Sequence, residues 1–148
     1  MISFDTNVLI YAVDRDEGLR HEQAAALLEL AMRSGNCLQP LQSFSEFYNV
    51  LTRKIRVAAE RAEAFITAWR GIFAVEAATI ADLDHAMRAV REHQLSFWDA
   101  LLWATVRRAG VAVLVSEDFQ DGRVIEGVRI ANPFVAANHR VIGDALRF

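Results

Sequence analysis

A run of five apolar residues, VAVLV at 111–115, lies between Gly110 and Ser116. A strand with one face in water would show a polar residue at every second position, and this run shows none. Strands buried on both faces are typical of parallel sheets covered by helices on each side. The run therefore predicts an α/β protein in which this strand is central.

The rest of the chain alternates short apolar runs with helix-forming stretches. Further strands are predicted at 2–5, 37–39, 72–75 and 128–130. Helices are predicted directly after the first strand and at 19–33, 43–56, 58–69, 82–93 and 96–109. Strands separated by helices with short links favour a three-layer α/β/α sandwich with a central parallel sheet of about five strands.

Composition is consistent with one folded domain over residues 1–148. Hydrophobic residues make up 53% of the chain and charged residues 24%, which excludes extensive disorder. We expect no signal peptide, because Asp5 and Asn7 stand where an apolar run would be needed, and no uninterrupted apolar stretch long enough to span a membrane. Cys37 is the only cysteine, so no internal disulfide is possible and we expect a cytoplasmic protein.

Four acidic residues are predicted to meet at one edge of the sheet. Asp5 ends the first strand and Asp118 follows the strand at 111–115. Glu46 and Asp99 each lie in the predicted first turn of a helix that begins at the same edge. Four carboxylates within about 5 Å of one another would repel by about 3 kcal/mol per pair at an effective dielectric of about 20, so a cation must compensate them.

Each acid also has a structural explanation. Ser43 precedes Glu46, and Ser96 precedes Asp99, at the spacing of a capping box, in which the acid only stabilises a helix N-terminus. Asp5 could likewise cap the helix that follows it. The last acidic loop contains Glu117 and Asp121 as well as Asp118, so its ligand is ambiguous, and Asp118 is preferred because it lies closest after the strand.

The ligand type points to a hard divalent cation. Carboxylate oxygens without a nearby set of cysteines or histidines suit Mg²⁺ or Mn²⁺ rather than Zn²⁺. Such ions activate water and stabilise charge on a phosphodiester, and the hydroxyls of Thr6 and Ser116 could orient a carboxylate or a bound water. The net charge of −3 argues against a broad basic surface for nucleic acid but does not exclude a nuclease that acquires its cations from solution.

Four stretches carry a family resemblance: FDTNVLIYA at 4–12, SEF at 45–47, SFWDAL at 96–101 and VSEDF at 115–119. Through them the chain resembles the PIN-domain family, in particular the VapC-like toxins of bacterial toxin–antitoxin pairs. The residues that match the family's acidic quartet are Asp5, Glu46, Asp99 and Asp118, and those that match its hydroxyl positions are Thr6 and Ser116. The resemblance implies Mg²⁺- or Mn²⁺-dependent RNA hydrolysis, a homodimer, and inhibition by a cognate antitoxin protein.

Two other functions would also place acids or apolar surface in this pattern. An aspartate-based phosphatase or phosphoreceiver also places acids at strand ends, but it needs a lysine near them, and the only lysine is Lys54, far along a helix. It also needs a second acid where Asn7 stands. A catalytically silent PIN domain that binds a partner would use the apolar content as contact surface. The four histidines share no metal-ligand spacing and are assigned no role.

Overall fold

Six strands and seven α-helices make up residues 1–147, the part of the chain that this computed structural model describes. The strands are β1 (Ile2–Phe4), β2 (Leu38–Pro40), β3 (Ala74–Glu76), β4 (Val113–Val115), β5 (Val124–Ile125) and β6 (Val128–Ala131). The helices are α1 (Thr6–Val13), α2 (Leu19–Ser34), α3 (Leu41–Val50), α4 (Ala59–Arg70), α5 (Ile80–His93), α6 (Phe97–Arg108) and α7 (His139–Leu146). Short 3₁₀ turns lie at Arg15–Glu17 and Ala136–Asn138, and a π-helical turn at Leu51–Ile55 extends α3.

The strands form a mainly parallel sheet in the order β3-β2-β1-β4-β6-β5. Parallel ladders join β2 to β3, β1 to β4 and β4 to β6, and a single parallel bridge between Ile2 and Cys37 connects the two parts. Only β5 is antiparallel, because it forms a hairpin with β6. Five parallel strands therefore occupy the middle layer, which confirms the predicted sheet.

Helices cover both faces of this sheet. Alternate residues of β4 point to opposite sides, since Val113 and Val115 lie in one hydrophobic cluster and Leu114 in the other. The first cluster packs against α1, α2, α3, α4 and α7, and the second against α5 and α6. The predicted α/β/α sandwich is confirmed, and the run at 111–115 is buried on both faces except at Ala112.

The sequence prediction was wrong about where some elements begin, and it omitted two elements. The strand at 72–75 begins only at Ala74, because the amides of Ile72 and Phe73 both donate to Trp69 O and complete the last turn of α4. The helix predicted from residue 43 begins at Leu41, with Pro40 as its N-cap. Strand β5 and helix α7 were not predicted at all.

The carboxyl ends of the parallel strands meet at one edge, where α1 and α3 begin directly after β1 and β2. Backbone bonds fix the neighbours across this edge: Asp5 N donates to Val115 O at 2.9 Å, and Ser116 N donates to Ala131 O at 3.1 Å. Helix α6 starts at the same edge and returns to β4 through Gly110, whose positive φ of 78° suits glycine. None of the helices in residues 1–147 combines the length and the apolar content required to cross a lipid bilayer.

Candidate active site

Asp5 lies at the junction of β1 and α1 and is only 6% exposed. One carboxylate oxygen accepts the backbone N–H of Thr6 at 2.7 Å, so Asp5 does cap α1. The other oxygen accepts the Ser116 hydroxyl at 2.6 Å. Groups of α1 and of the segment after β4 therefore both bind the Asp5 carboxylate. Although Asp5 caps α1, its side chain still lies at the edge of the sheet.

Glu46 lies in the second turn of α3 and caps nothing, contrary to the capping-box alternative. Ser43 is fully buried inside α3, and its hydroxyl donates to Phe4 O at 3.3 Å. The Glu46 carboxylate instead accepts the Thr6 hydroxyl at 2.9 Å and the Gln42 amide at 2.8 Å. Because Thr6 follows Asp5 directly, this bond ties the two acids to the same end of α1.

Asp99 lies in the first turn of α6, as predicted. The Ser96 side chain accepts the backbone N–H of Asp99 at 3.2 Å and caps the helix. No reciprocal bond from the Ser96 amide to the Asp99 carboxylate is formed among residues 1–147, so only half of the expected capping box is present. The Asp99 carboxylate is half-buried and is not used by the cap, so it remains available to a ligand at the edge of the sheet.

The three acids of the last loop have different surroundings. The Asp118 carboxylate faces the other acids and accepts the Asn7 amide at 2.9 Å. Glu117 pairs with Arg20 at 3.0 Å. Asp121 accepts the Asn132 backbone and the Asn138 side chain at 2.8 and 2.7 Å and so holds the loop before α7. The geometry therefore favours Asp118 among the three.

Asn7 is a part of the site that sequence reasoning missed. Its amide nitrogen donates to Asp5 at 3.1 Å and to Asp118 at 2.9 Å, and lies 3.4 Å from the Ser116 hydroxyl. Its amide oxygen accepts the Glu117 backbone at 3.5 Å. A signal was present, since Asn7 lies two residues after Asp5 within the stretch at 4–12, but the sequence pattern assigned it no place in the site. Asn7 joins carboxylates from the ends of β1 and β4.

All four predicted acids line one cavity of about 360 Å³. The ten residues around it are Asp5, Thr6, Asn7, Ile10, Tyr11, Glu17, Glu46, Val50, Asp99 and Asp118. Five of them are carboxylates and none is lysine, arginine or histidine, so the protein supplies no cation of its own to the cavity wall. Lys54, which a phosphatase would require, does not line it.

The acids are more widely spaced than the sequence prediction assumed. Within residues 1–147, no three of them bring one oxygen each to within 4.8 Å of the others. A closed shell of protein oxygens is therefore not formed. Mg²⁺ binds proteins through few carboxylates and keeps several of its water ligands, so an open arrangement of this kind fits Mg²⁺ better than it fits an enclosed ion.

Burial and mutual repulsion both disfavour charge in this cavity. Burial raises the pKa of Asp5 to about 6, and the neighbouring Asp99 and Asp118 carboxylates add to the increase, while hydrogen bonds from Ser116 and Thr6 oppose it. Burial also raises the pKa of Asp99, with further contributions from Asp118 and Glu46. Carboxyl groups that resist ionisation in this way would gain from a bound cation.

A second cluster of ligand-type residues lies elsewhere. Glu92, His93 and Glu126 bring ligand atoms to within 4.8 Å of one another. Glu126 is already paired with Arg88 at 3.2 Å and with Arg107 at 2.9 Å, so its charge is compensated without a metal. The cluster is therefore a set of surface ion pairs.

Comparison with protein families gives one match. A family model described as "PIN domain" matches residues 2–124, which include all four predicted acids. No curated protein sequence matches the chain significantly.

Several solved structures share the fold. VapC20 of Mycobacterium tuberculosis, described as a toxin that cleaves the sarcin–ricin loop, is 22% identical with a TM-score of 0.62, over 77% of this chain and 87% of that one. A toxin–antitoxin complex from Klebsiella pneumoniae is 21% identical with a TM-score of 0.63, over 90% and 98%. VapBC2 from Rickettsia felis, bound to a promoter DNA fragment, is 15% identical with a TM-score of 0.63, over 89% and 98%. At these identities the likeness establishes the fold alone.

Proposed function

This chain belongs to the PIN domain family, and we propose that it is a metal-dependent endoribonuclease that acts as the toxin of a toxin–antitoxin pair. One observation carries the proposal: four acids from separate parts of the chain line one cavity that contains no basic side chain. A structural reason for the acids is lacking at Glu46, and capping accounts for only one carboxylate oxygen of Asp5. Family membership supplies the reaction class, a nuclease.

The donor set fits Mg²⁺ or Mn²⁺. All candidate ligands are carboxylate oxygens, and the raised pKa values of Asp5 and Asp99 indicate that these groups lack a compensating charge. Asp5, Asp99 and Asp118 would hold the ion, with Glu46 at the side of the cavity nearest Thr6. A bound ion of this type supplies an activated water and stabilises the charge that develops on a phosphodiester.

The chain's own residues keep the carboxylates in place. The Ser116 hydroxyl and the Asn7 amide both donate to the same oxygen of Asp5, and Asn7 also donates to Asp118. Thr6 and Gln42 each donate to one oxygen of Glu46. These donors fix the orientation of each carboxylate before the substrate arrives, which lowers the reorganisation needed during the reaction. We propose that Thr6 and Ser116 orient the carboxylates through these hydrogen bonds.

Partners follow from the same proposal. The Klebsiella structure is described as a toxin–antitoxin complex, so we propose a cognate antitoxin for this chain, in the cytoplasm. Large apolar side chains that remain exposed include Leu19, Ile80 and Trp98, at 67%, 77% and 62%. Exposed apolar surface of this kind supports association, and we propose a homodimer. Light scattering at micromolar concentration tests it, and a stable monomer would contradict it.

The test of the activity is cleavage of labelled RNA by the purified full chain. We expect cleavage with Mg²⁺ or Mn²⁺, and none after EDTA. Undiminished cleavage in EDTA would reject the metal mechanism. No cleavage of any RNA with either metal, by a protein that still binds an antitoxin, would favour a silent partner-binding domain instead.

A further inference from the structure

A second cavity lies beside the acidic one and shares two of its acids. It has a volume of about 560 Å³, and both Asp99 and Asp118 line it as well as the acidic cavity. We call it the flanking pocket; its other lining residues include Gln94, Leu95, Phe119, Gln120, Arg123 and the acidic Glu92. Its volume falls within the range of small-molecule sites, roughly 300–1,000 Å³. Any group that occupies it lies next to whatever reacts at Asp99 and Asp118.

Arg123 provides a positive charge in the flanking pocket. Its guanidinium donates one hydrogen bond, to His93 O at 2.8 Å, and makes no ion pair with an acid among residues 1–147. A guanidinium has five N–H donors, so several remain for a ligand. This differs from Arg88, Arg107 and Arg108, whose charges are used by acids of the protein. An arginine with free donors beside a phosphodiester site is suited to a backbone phosphate.

Two glutamine side chains face the same pocket. Gln94 and Gln120 are both exposed, and each offers an amide donor and an amide acceptor. Gln94 is the C-cap of α5 and has the left-handed backbone, φ 56°, with which helices commonly end. Leu95 and Phe119 also line the pocket, but Phe119 is only 7% exposed, so the lining is mainly polar.

We propose that the flanking pocket binds one unpaired RNA nucleotide adjacent to the scissile phosphate, with Arg123 on a backbone phosphate and Gln94 and Gln120 on the edge of the base. The inference rests on the proposed ribonuclease function. A paired base presents its Watson–Crick edge to its partner, whereas an unpaired base can leave the stack and be read by amides. The pocket therefore selects single-stranded RNA and sets the preferred base beside the cut.

Substitution of two arginines separates this role from a general loss of positive charge. Arg123→Ala should raise KM for a short single-stranded RNA about tenfold and leave kcat unchanged. This is expected because a charged hydrogen bond to a phosphate away from the reacting bond has the same strength in the ground state and the transition state. Arg129→Ala is the matched control. Arg129 is an exposed arginine on β6, the strand that pairs with β5 directly after Arg123, and it lines neither the acidic cavity nor the flanking pocket. Equal KM values for the two variants would overturn the phosphate contact.

RNA binding can be measured without cleavage, so the pocket can be tested even if the chain is not a ribonuclease. In EDTA, a single-stranded RNA hexamer should bind wild type with a steeper salt dependence than Arg123→Ala, the slope of log K against log salt differing by about 0.7 for one lost phosphate contact. Arg129→Ala should keep the wild-type slope. Hexamer binding that depends on Arg123 in a protein that cleaves nothing would retain the pocket and reject the ribonuclease. Identical slopes for all three proteins would reject the pocket.

Base selection is tested with Gln120→Ala, and because Gln120 is exposed we expect the variant to fold as wild type does. The test compares cleavage rates of four RNA oligonucleotides that differ only in the base beside the cut. In the variant, the ratio of the rate for the preferred base to the rates for the others should fall about tenfold. Unchanged preference would overturn base reading by Gln120, and cleavage of an RNA duplex as fast as the single strand would overturn the requirement for an unpaired nucleotide. A change in oligomeric state on Arg123→Ala would also overturn the proposal, since the pocket would then be a contact between copies.

Discussion

Asp5 and Asp82 are both buried aspartates at the N-terminal end of a helix, 6% and 1% exposed, and they differ in what compensates their charge. Asp82 is part of a capping box with Thr79 and pairs with Arg108 at 2.9 Å. Asp5 caps α1, and the charged groups that perturb it are the acids Asp99 and Asp118. The charge of Asp82 is compensated within the protein, whereas no basic side chain lines the cavity that contains Asp5.

The pKa values of the two carboxyls move in opposite directions. Burial alone would raise the pKa of Asp82, but hydrogen bonds from Thr79 and Arg108 outweigh burial and lower it. Burial raises the pKa of Asp5 to about 6, and the nearby carboxylates add to the effect. Helix position and burial are therefore poor guides to the role of an acid, and the sign of its neighbours is a better one.

The largest expected effect is the loss of activity in Asp99→Asn. Cleavage of RNA should fall on the order of a thousandfold, because one charged ligand of the cation is removed. The free energy of unfolding without metal should stay equal or increase, since repulsion from Asp118 and Glu46 is relieved. The matched control is Asp84→Asn, an exposed aspartate of α5. If Asp99→Asn retained cleavage, Asp99 would have a purely structural role, as Asp82 does.

Glu46→Gln should lower cleavage at limiting Mg²⁺ by on the order of a hundredfold, because a neutral amide binds a divalent cation far more weakly than a carboxylate. Stability should barely change. The glutamine carbonyl can still accept a bond from Thr6 or Gln42, and no helix cap is lost. A Mg²⁺ titration of the rate measures the effect, and a wild-type rate at limiting Mg²⁺ would remove Glu46 from the site.

Asp82→Asn should have the reverse profile. Loss of the ion pair and part of the capping box should cost about 2 kcal/mol, or roughly 4–8 °C in Tm for a chain of this size. Cleavage per folded molecule should match wild type. Thermal unfolding and a rate normalised to folded protein measure both quantities. A Tm within one or two degrees of wild type, or a rate loss like that of Asp99→Asn, would break the contrast between the two aspartates.

The meeting of the four acids could be predicted from the sequence, because strand order places them at one edge whatever their exact contacts, whereas the capping box and ion pair of Asp82 were not predicted. The prediction of the acidic quartet and of the sheet depended on the apolar runs, which mark the strands, and on the positions of Asp5 and Asp118 after two of these runs. The start of α3 could not be predicted, since Ser43 has the composition of a cap but makes a buried tertiary bond to Phe4. Tertiary contacts of this kind override local preferences.

The hairpin of β5 and β6 was missed for a related reason. Its two turn residues, Glu126 and Gly127, have φ of 45° and 90°, as a type I′ turn requires, but glutamate replaces the usual asparagine or aspartate at the first position. Glu126 is held there by ion pairs with Arg88 and Arg107 from helices distant in sequence. The role of Asn7 was hidden in the same way, because Asp118 and Ser116 lie more than a hundred residues away.

Stability should depend on pH in opposite directions at the two aspartates. The pKa of Asp5 rises on folding from 3.8 to about 6, so its contribution favours the folded state at low pH and is lost as pH rises through 6. The pKa of Asp82 is lowered, so its contribution is present above 3.8 and is lost as pH falls below it. Urea unfolding of metal-free wild type and Asp5→Asn between pH 4.5 and about pH 7.5 measures the first effect. An identical pH dependence in both proteins would contradict it.

The most direct measurement is calorimetric titration of Mn²⁺ into the metal-free full chain, for wild type, Asp5→Asn and Asp82→Asn. Wild type and Asp82→Asn should bind Mn²⁺ with the same affinity, which should weaken as pH falls through 6 because the proton on Asp5 competes with the metal. Asp5→Asn should bind at least about tenfold more weakly. Wild type that binds no Mn²⁺, or Asp5→Asn that binds as tightly as wild type, would contradict a cation site in the acidic cavity.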